Sequence, residues 1–403
     1  METVQFLKET RMRIWFFTLI VLVCASLTCR GDQASDLAGK GMIALKQNKF
    51  NVAQDYFTQA LKANTNYLGA YYFRAMSYLG TTQYDKAIAD LSQALQLNTN
   101  YADAYYLRGS CYMDEKEYDK SVADLSSALL LTTNTEIILY RAYVYTCLTN
   151  YNASIDDYTR AVHLSPTNAR AYLGRARVYL LQGAYGLAIL DCNAVLQMNP
   201  YSATAYRVRG EADKEEKDYD DAIADYGKAL LINPEDNSTY YSRAIAFAGK
   251  EDYSNAVADC TTYLALNPRD AMAYSDRSWY RTELGDYSGA IDDGRKTIAL
   301  DDTFFWGYNN LGWLLAVCPE ARFRDGRKAL EYAMKACALS GWKEPDCIDT
   351  LAAAYAEQGN FKEAIKWEKK ALEGLTGDNL ASGQKALNLY KQKKPYREEL
   401  KKK

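Results

Sequence analysis

The sequence predicts an all-α solenoid built from about ten helix-turn-helix repeats, and three observations carry that prediction. An aromatic residue returns at a fixed interval: Phe50, Tyr84, Tyr118, Tyr151, Tyr185, Tyr219, Tyr253 and Tyr287 stand 34 residues apart, with one interval of 33. A period of that length marks a stacked two-helix unit rather than one globule. Within each period, apolar residues recur every three to four positions in two stretches, which is helical spacing. Polar turns divide the periods, with Pro166, Pro200, Pro234 and Pro268 each fifteen residues after its aromatic. Proline cannot continue the helix before it and suits the start of the next unit.

The first element precedes the repeats. Lys8, Arg11 and Arg13 lead into the apolar run from Ile14 to Leu27, followed by Cys29, Arg30 and Gly31. The run is shorter than the roughly 20 residues of a spanning helix, and basic residues before a short apolar core make residues 1–30 a signal or anchor segment. Three versions remain open: cleavage after Ala25 or Ser26, lipid attachment at Cys29, or an uncleaved membrane anchor; translation from Met12 would shorten the signal. Each places the chain in the exported or cell-envelope fraction, with membrane association only through this segment.

Residues 31–302 follow as eight regular repeats. A Gly or Ala nine residues before the aromatic (Gly41, Ala75, Gly109, Ala142, Ala176, Gly210, Ala244) and a small residue three after it (Ala53, Ala87, Ser121, Ser154, Ala188, Ala222, Ala256, Ala290) mark where the two helices of a hairpin touch. The shortened interval falls near Thr132, Thr133 and Asn134, so it trims a loop and spares the helices. Thr65, Thr99 and Thr133 take the proline position in the first three repeats, leaving those turns less sharply defined. Two divergent repeats occupy residues 303–376: one opens at Tyr308 to Gly312 with a turn lengthened by Cys318 to Gly326, the other runs through Asp349 to Tyr355, Phe361, Ala364 and Ala371. Residues 377–403 read as a capping helix and a basic tail ending in Lys401, Lys402 and Lys403, since a solenoid needs a polar end cap.

Aromatic, small residue, tyrosine, two alanines and proline over 34 residues make a pattern that resembles the tetratricopeptide repeat, and the segment Cys318 to Leu372 with Trp342 and Trp367 resembles the C-terminal block of bacterial members. The resemblance implies a right-handed superhelix whose first helices line a concave face. It also implies a scaffold for protein or peptide partners. A ligand groove is then expected from Tyr72, Tyr106, Tyr140, Tyr143, Arg177, Arg207, Tyr241 and Trp279, with Glu211 among them; Tyr106→Ala together with Tyr241→Ala is expected to weaken binding without unfolding the chain. The Lys and Asn set by which some members clamp a chaperone's terminal carboxylate is not matched.

A second periodicity is ionic. Arg74, Arg108, Arg141, Arg175, Arg209, Arg243 and Arg277 stand ten residues before successive aromatics, and Asp90, Asp124, Asp157, Asp191, Asp225, Asp259 and Asp293 six after. Antiparallel packing brings the two sets together as a structural ladder; the competing reading, arginines presented to an acidic or phosphorylated ligand, is weakened by the matched carboxylates.

Composition limits function further. A net charge of -3 gives no global reason to bind nucleic acid. Thirty-five tyrosines suit half-buried contacts between helices. The single histidine, His163, argues against a Ser-His or Cys-His pair and a multi-histidine metal site, and Gly39-Lys40-Gly41 lacks the spacing of a phosphate loop. The nine cysteines form no CxxC pair; Cys111, Cys147, Cys192, Cys260, Cys318, Cys337 and Cys347 read as small buried apolar groups. The chain is therefore expected to be a non-enzymatic scaffold without metal or cofactor, with an envelope glycan-binding module or a non-catalytic subunit of an enzyme complex as the alternatives.

Overall fold

A computed structural model describes residues 33–398. The expectations for residues 1–30, Cys29 included, and for Lys401 to Lys403 lie outside the described residues. Among the described residues there are 21 α-helices, one short 3-10 helix and no strand. None of these helices is long and apolar enough to cross a membrane.

The helices divide between two compact units, the first ending at Met198 and the second beginning at Asn199. In the first unit ten helices make five hairpins: α1 (Gln33–Lys46) with α2 (Phe50–Ala63), α3 (Leu68–Gly80) with α4 (Tyr84–Leu97), α5 (Ala102–Asp114) with α6 (Tyr118–Leu131), α7 (Thr135–Cys147) with α8 (Tyr151–Leu164), and α9 (Ala169–Leu181) with α10 (Tyr185–Met198). In the second unit α11 (Ala203–Glu215) pairs with α12 (Tyr219–Ile232), α13 (Asn237–Gly249) with α14 (Tyr253–Leu266), α15 (Ala271–Glu283) with α16 (Tyr287–Leu300), α17 (Phe305–Val317) with α18 (Gly326–Leu339), and α19 (Pro345–Glu357) with α20 (Phe361–Ala371). A last helix, α21 (Gly377–Lys391), packs on α20.

Each hairpin turns in the same way. The residue two before the aromatic has positive φ at Asn48, Thr82, Lys116, Thr149, Gly183, Lys217, Glu251 and Gly285. The next amide then closes a six-residue loop onto the first helix, as Gln83 N does on Tyr78 O at 2.9 Å and Asp286 N on Arg281 O at 2.9 Å. This left-handed cap satisfies carbonyls that a helix end leaves open. Between hairpins, an asparagine side chain holds the turn: Asn64 Oδ1 accepts from Asn66 N at 3.0 Å, Asn98 Oδ1 from Asn100 N at 2.9 Å and, before Pro200, Asn199 Oδ1 from Tyr201 N at 3.1 Å.

The small-residue seams are buried. A Cβ on Gly109 would stand 3.2 Å from the Ser121 carbonyl oxygen, so this position admits Gly or Ala and little else. Where the second helix carries serine, its hydroxyl donates across the seam, from Ser121 to Gly109 O at 2.7 Å and from Ser154 to Ala142 O at 2.8 Å. All seven described cysteines are thiols, six of them buried. Burial pushes Cys337 up to about 11 and Cys260 and Cys347 up to about 12, which suits apolar packing rather than nucleophilic chemistry.

Candidate functional site

The Arg and Asp sets meet in all seven repeats. Each arginine sends Nε and Nη2 to the two carboxylate oxygens of its aspartate at 2.5 to 2.9 Å. The aspartate side chains are 5 to 9% exposed, and a two-pronged pair is the strong geometry for these groups. Five arginines use the third nitrogen to reach a hydroxyl of the preceding hairpin: Arg74 to Thr58, Arg108 to Ser92, Arg141 to Ser126, Arg175 to Thr159 and Arg277 to Thr261, at 2.9 to 3.0 Å. The ladder therefore fixes both the register within a hairpin and the stacking of one hairpin on the next. Aromatic rings three residues before or four after the arginine lie 5.4 to 5.9 Å from its guanidinium, as Tyr71 and Tyr78 do around Arg74 and Tyr240 and Phe247 around Arg243. Part of the tyrosine content is thereby accounted for as cation-π contact with the ladder.

Three of the eight expected groove residues are core rather than surface. Tyr72, Tyr106 and Tyr140 are 3%, 4% and 2% exposed and cannot line an open face. A first helix is covered by its own partner and by the next hairpin, so these rings pack between repeats: Tyr72 lies 5.0 Å from Tyr101, and Tyr106 meets Tyr140 edge-on at 5.6 Å. Truncating Tyr106 removes core, so it does not test binding alone. Tyr143 and Arg177 are half-buried. Arg207 is tied to Glu211 at 2.6 Å and lies 3.5 Å from Asp236. Tyr241 stacks on Tyr263 at 4.9 Å and donates its hydroxyl to Asp276. Burial and the Asp276 charge push the Tyr241 phenol well above its ordinary range. Only Trp279, 47% exposed, stands open.

Trp279 belongs to a cavity of about 500 Å³ in the second unit. Its walls come from successive first helices α15, α17 and α19, from α21, and from the extended segment after it. Five carboxylates line it (Asp276, Glu283, Asp346, Asp349 and Glu398), together with Trp279, Trp306, Trp313 and Tyr396, and among the described residues no lysine, arginine or histidine does. The segment beyond α21 is pinned back onto the hairpins: Glu398 N donates to Val317 O at 3.1 Å, Trp313 Nε1 to Glu398 Oε1 at 2.6 Å, and Arg397 pairs with Glu357. Tyr396 and Glu398 therefore form part of the cavity wall. Asp346 Oδ1 accepts from Asn379 Nδ2 at 2.8 Å. Behind the floor, burial and then the Asp349 charge push the Glu368 carboxyl up to about 10, and burial pushes Asp349 up to about 6. At neutral pH Glu368 keeps its proton and hydrogen-bonds Asp349.

The ladder stops here. Leu311 and Leu351, 1% and 0% exposed, stand where the arginines of the regular repeats stand, and Tyr332 and Trp367 stand where the aspartates do, so both partners are lost together and the carboxylates of the cavity lie outside the ladder. The sequence reading missed Trp306, Asn309, Trp313, Asp346 and Asp349 because it followed the regular period, which breaks in these repeats. One signal was present: three of the six tryptophans fall between residues 279 and 313.

Stacked hairpins with a shared ion-pair frame define an all-α repeat scaffold. Family profiles described as TPR or tetratricopeptide repeats match residues 39–80, 82–114, 102–135, 148–203, 207–271 and 241–303. The chain belongs to the tetratricopeptide-repeat family, a fold that serves as a scaffold for protein–protein interaction. Comparison with curated proteins gives no match. Among solved structures, a tetratricopeptide repeat protein from Parabacteroides merdae is similar over 60% of this chain and 97% of its own, at 19% identity and a TM-score of 0.50. The C-terminal part of a TPR repeat-containing protein from Cytophaga hutchinsonii matches 59% of this chain and 98% of its own at 19% identity and a TM-score of 0.49. YrrB, described as a TPR protein with an unusual peptide-binding site, matches 48% of this chain and 97% of its own at 22% identity and a TM-score of 0.41. At 19% identity the likeness to the Parabacteroides merdae protein speaks to fold alone.

Proposed function

We propose that this chain is a non-catalytic scaffold, exported or envelope-associated, that binds a protein or peptide partner on the first-helix face of its second unit. The cavity around Trp279 carries the reading. It combines exposed aromatic surface with carboxylates that the ladder does not neutralise, on helices held rigid by packing on both sides. Large rigid aromatics in a partly enclosed site are the usual anchors of a protein interface, and a groove along helices suits an extended peptide or a helix. Export rests on the charge and length pattern of residues 1–30.

The test is capture from the native cell envelope with wild type and with Trp279→Ala plus Trp306→Ala, followed by mass spectrometry. A partner held by wild type and lost by the variant, at unchanged melting temperature, supports the reading; equal capture by both sinks it. The mass of the mature chain distinguishes cleavage, lipidation at Cys29 and retention. A glycan-binding reading is favoured by the tryptophans and by Asn309, Asn310 and Asn379 in the same cavity, and titration with envelope oligosaccharides separates it from peptide binding.

A further inference from the structure

We propose that the end of α17 is a receptor for an extended polypeptide segment in which an aromatic residue precedes an arginine, and that residues 395–398 of this chain hold it until a partner segment of that pattern takes their place. This rests on the scaffold reading above and names the class of its ligand.

The receptor arises where the repeat is irregular. In the eight regular hairpins the first helix ends in a left-handed turn that closes onto its own carbonyls. Helix α17 runs instead into Cys318, which leaves helical backbone at ψ 130°, and then Pro319, which cannot continue a helix. The carbonyls of Ala316 and Val317, in the last turn, therefore need donors from outside the helix. Beside them stand the indole N–H of Trp313 and the carboxylate of Glu357, the last residue of α19.

Residues 395–398 answer each of these groups from some 81 positions away. Glu398 N donates to Val317 O at 3.1 Å, and Arg397 Nη1 to Ala316 O at 3.2 Å. Arg397 Nη2 donates to the Glu357 carboxylate, and Trp313 Nε1 to Glu398 Oε1 at 2.6 Å. The Tyr396 ring lies 6.0 Å from that of Trp313. Main-chain bonds combined with an aromatic and an arginine contact are how a groove holds an extended peptide. Closure of the array does not depend on them, because α21 already packs on α20 and buries Ala386 and Tyr390. All four residues of the segment are only half-buried, and ordering extended backbone costs entropy that a few such bonds do little more than offset. A partner that offers the same groups and also reaches Trp279 and Trp306 in the adjoining cavity holds the site more firmly than the chain's own segment does.

The experiment uses a fluorophore-labelled peptide amide, Lys-Pro-Tyr-Arg-Glu, the sequence of residues 394–398, titrated by anisotropy. A tethered segment competes at an effective concentration on the order of millimolar. The peptide should therefore bind the full chain carrying Tyr396→Ala with Arg397→Ala at least tenfold tighter than wild type, and the same peptide with alanine and citrulline at its Tyr and Arg positions should bind neither. A second measurement needs no variant: hydrogen exchange of wild type, read by mass spectrometry, should show the C-terminal segment protected in the free chain and deprotected by excess peptide. Equal binding to the two chains, no binding to the folded variant, or protection that excess peptide leaves unchanged overturns the proposal. Failure of the peptide leaves capture through Trp279 and Trp306 standing, whereas absence of any captured partner removes the scaffold reading itself.

Discussion

Arg108 and Asp124, sixteen residues apart in sequence, close a two-pronged ion pair at 2.7 and 2.8 Å while the remaining guanidinium nitrogen reaches Ser92 of the preceding hairpin at 3.0 Å. One side chain thus joins three helices. Its equivalent in the second repeat, Arg74, makes the same contacts with Asp90 and Thr58. Removing it leaves a nearly buried carboxylate without its cation, a change that costs about 3 kcal/mol or more. Arg74→Ala is expected to lower the urea midpoint by a corresponding amount. Adding Asp90→Asn should recover part of the loss, and strict additivity in that double-mutant cycle would count against the ladder as a stabilising device.

Arg243 shows the ladder with one rung missing. The position that offers Thr or Ser to the five arginines is Gly227, and a Cβ there would meet Arg243 Nη1 at 3.9 Å, an ordinary contact. Gly227→Ser supplies the hydroxyl and removes a glycine from the interior of α12. Each effect is worth about 0.5 to 1 kcal/mol, so a higher melting temperature is expected by calorimetry. Gly227→Ala separates the two, because it gains the helix propensity without the hydrogen bond.

The acid pair behind the cavity makes stability depend on pH. Glu368, held at about 10, and Asp349, at about 6, both lie above their ordinary values of 4.5 and 3.8. Asp213, pushed up to about 7 by burial and then by the Asp225 charge, acts in the same sense. Between the ordinary and the raised values the folded chain holds protons that the unfolded chain has released, so stability falls as pH rises. The contribution of these groups is complete below their unfolded values and is lost through pH 6, 7 and 10 in turn. The melting temperature of wild type should therefore decline from pH 5 to pH 9, and Glu368→Gln, which keeps a donor toward Asp349 without the charge, should flatten the decline above pH 7.

Tyr106 and Tyr140 give the sharpest contrast between the two readings. Both rings are buried and touch each other edge-on. Truncation of a buried aromatic costs about 3 to 5 kcal/mol, so Tyr140→Ala should lower the unfolding midpoint strongly. Trp279→Ala, at an exposed ring, should leave it nearly unchanged. Comparable losses from the two substitutions would contradict these placements.

The sequence by itself determined the hairpins, because each depends on local chemistry that repeats: helical spacing of apolar residues, small residues at the seam, and polar turns between periods. It also determined the Arg and Asp ladder, since a constant offset between two periodic sets becomes a contact once the helices run antiparallel. Tertiary structure decided which tyrosines are core and which face is open. A first helix is covered by its own partner and by the next hairpin, and its own spacing does not record which of its positions those neighbours cover: Tyr72 is buried against Tyr101, and Trp279 is open to the cavity. The cavity joins side chains from Asp276 to Glu398 across four helices and an extended segment, in repeats where the period breaks. No local pattern records such a convergence, and packing alone produces it.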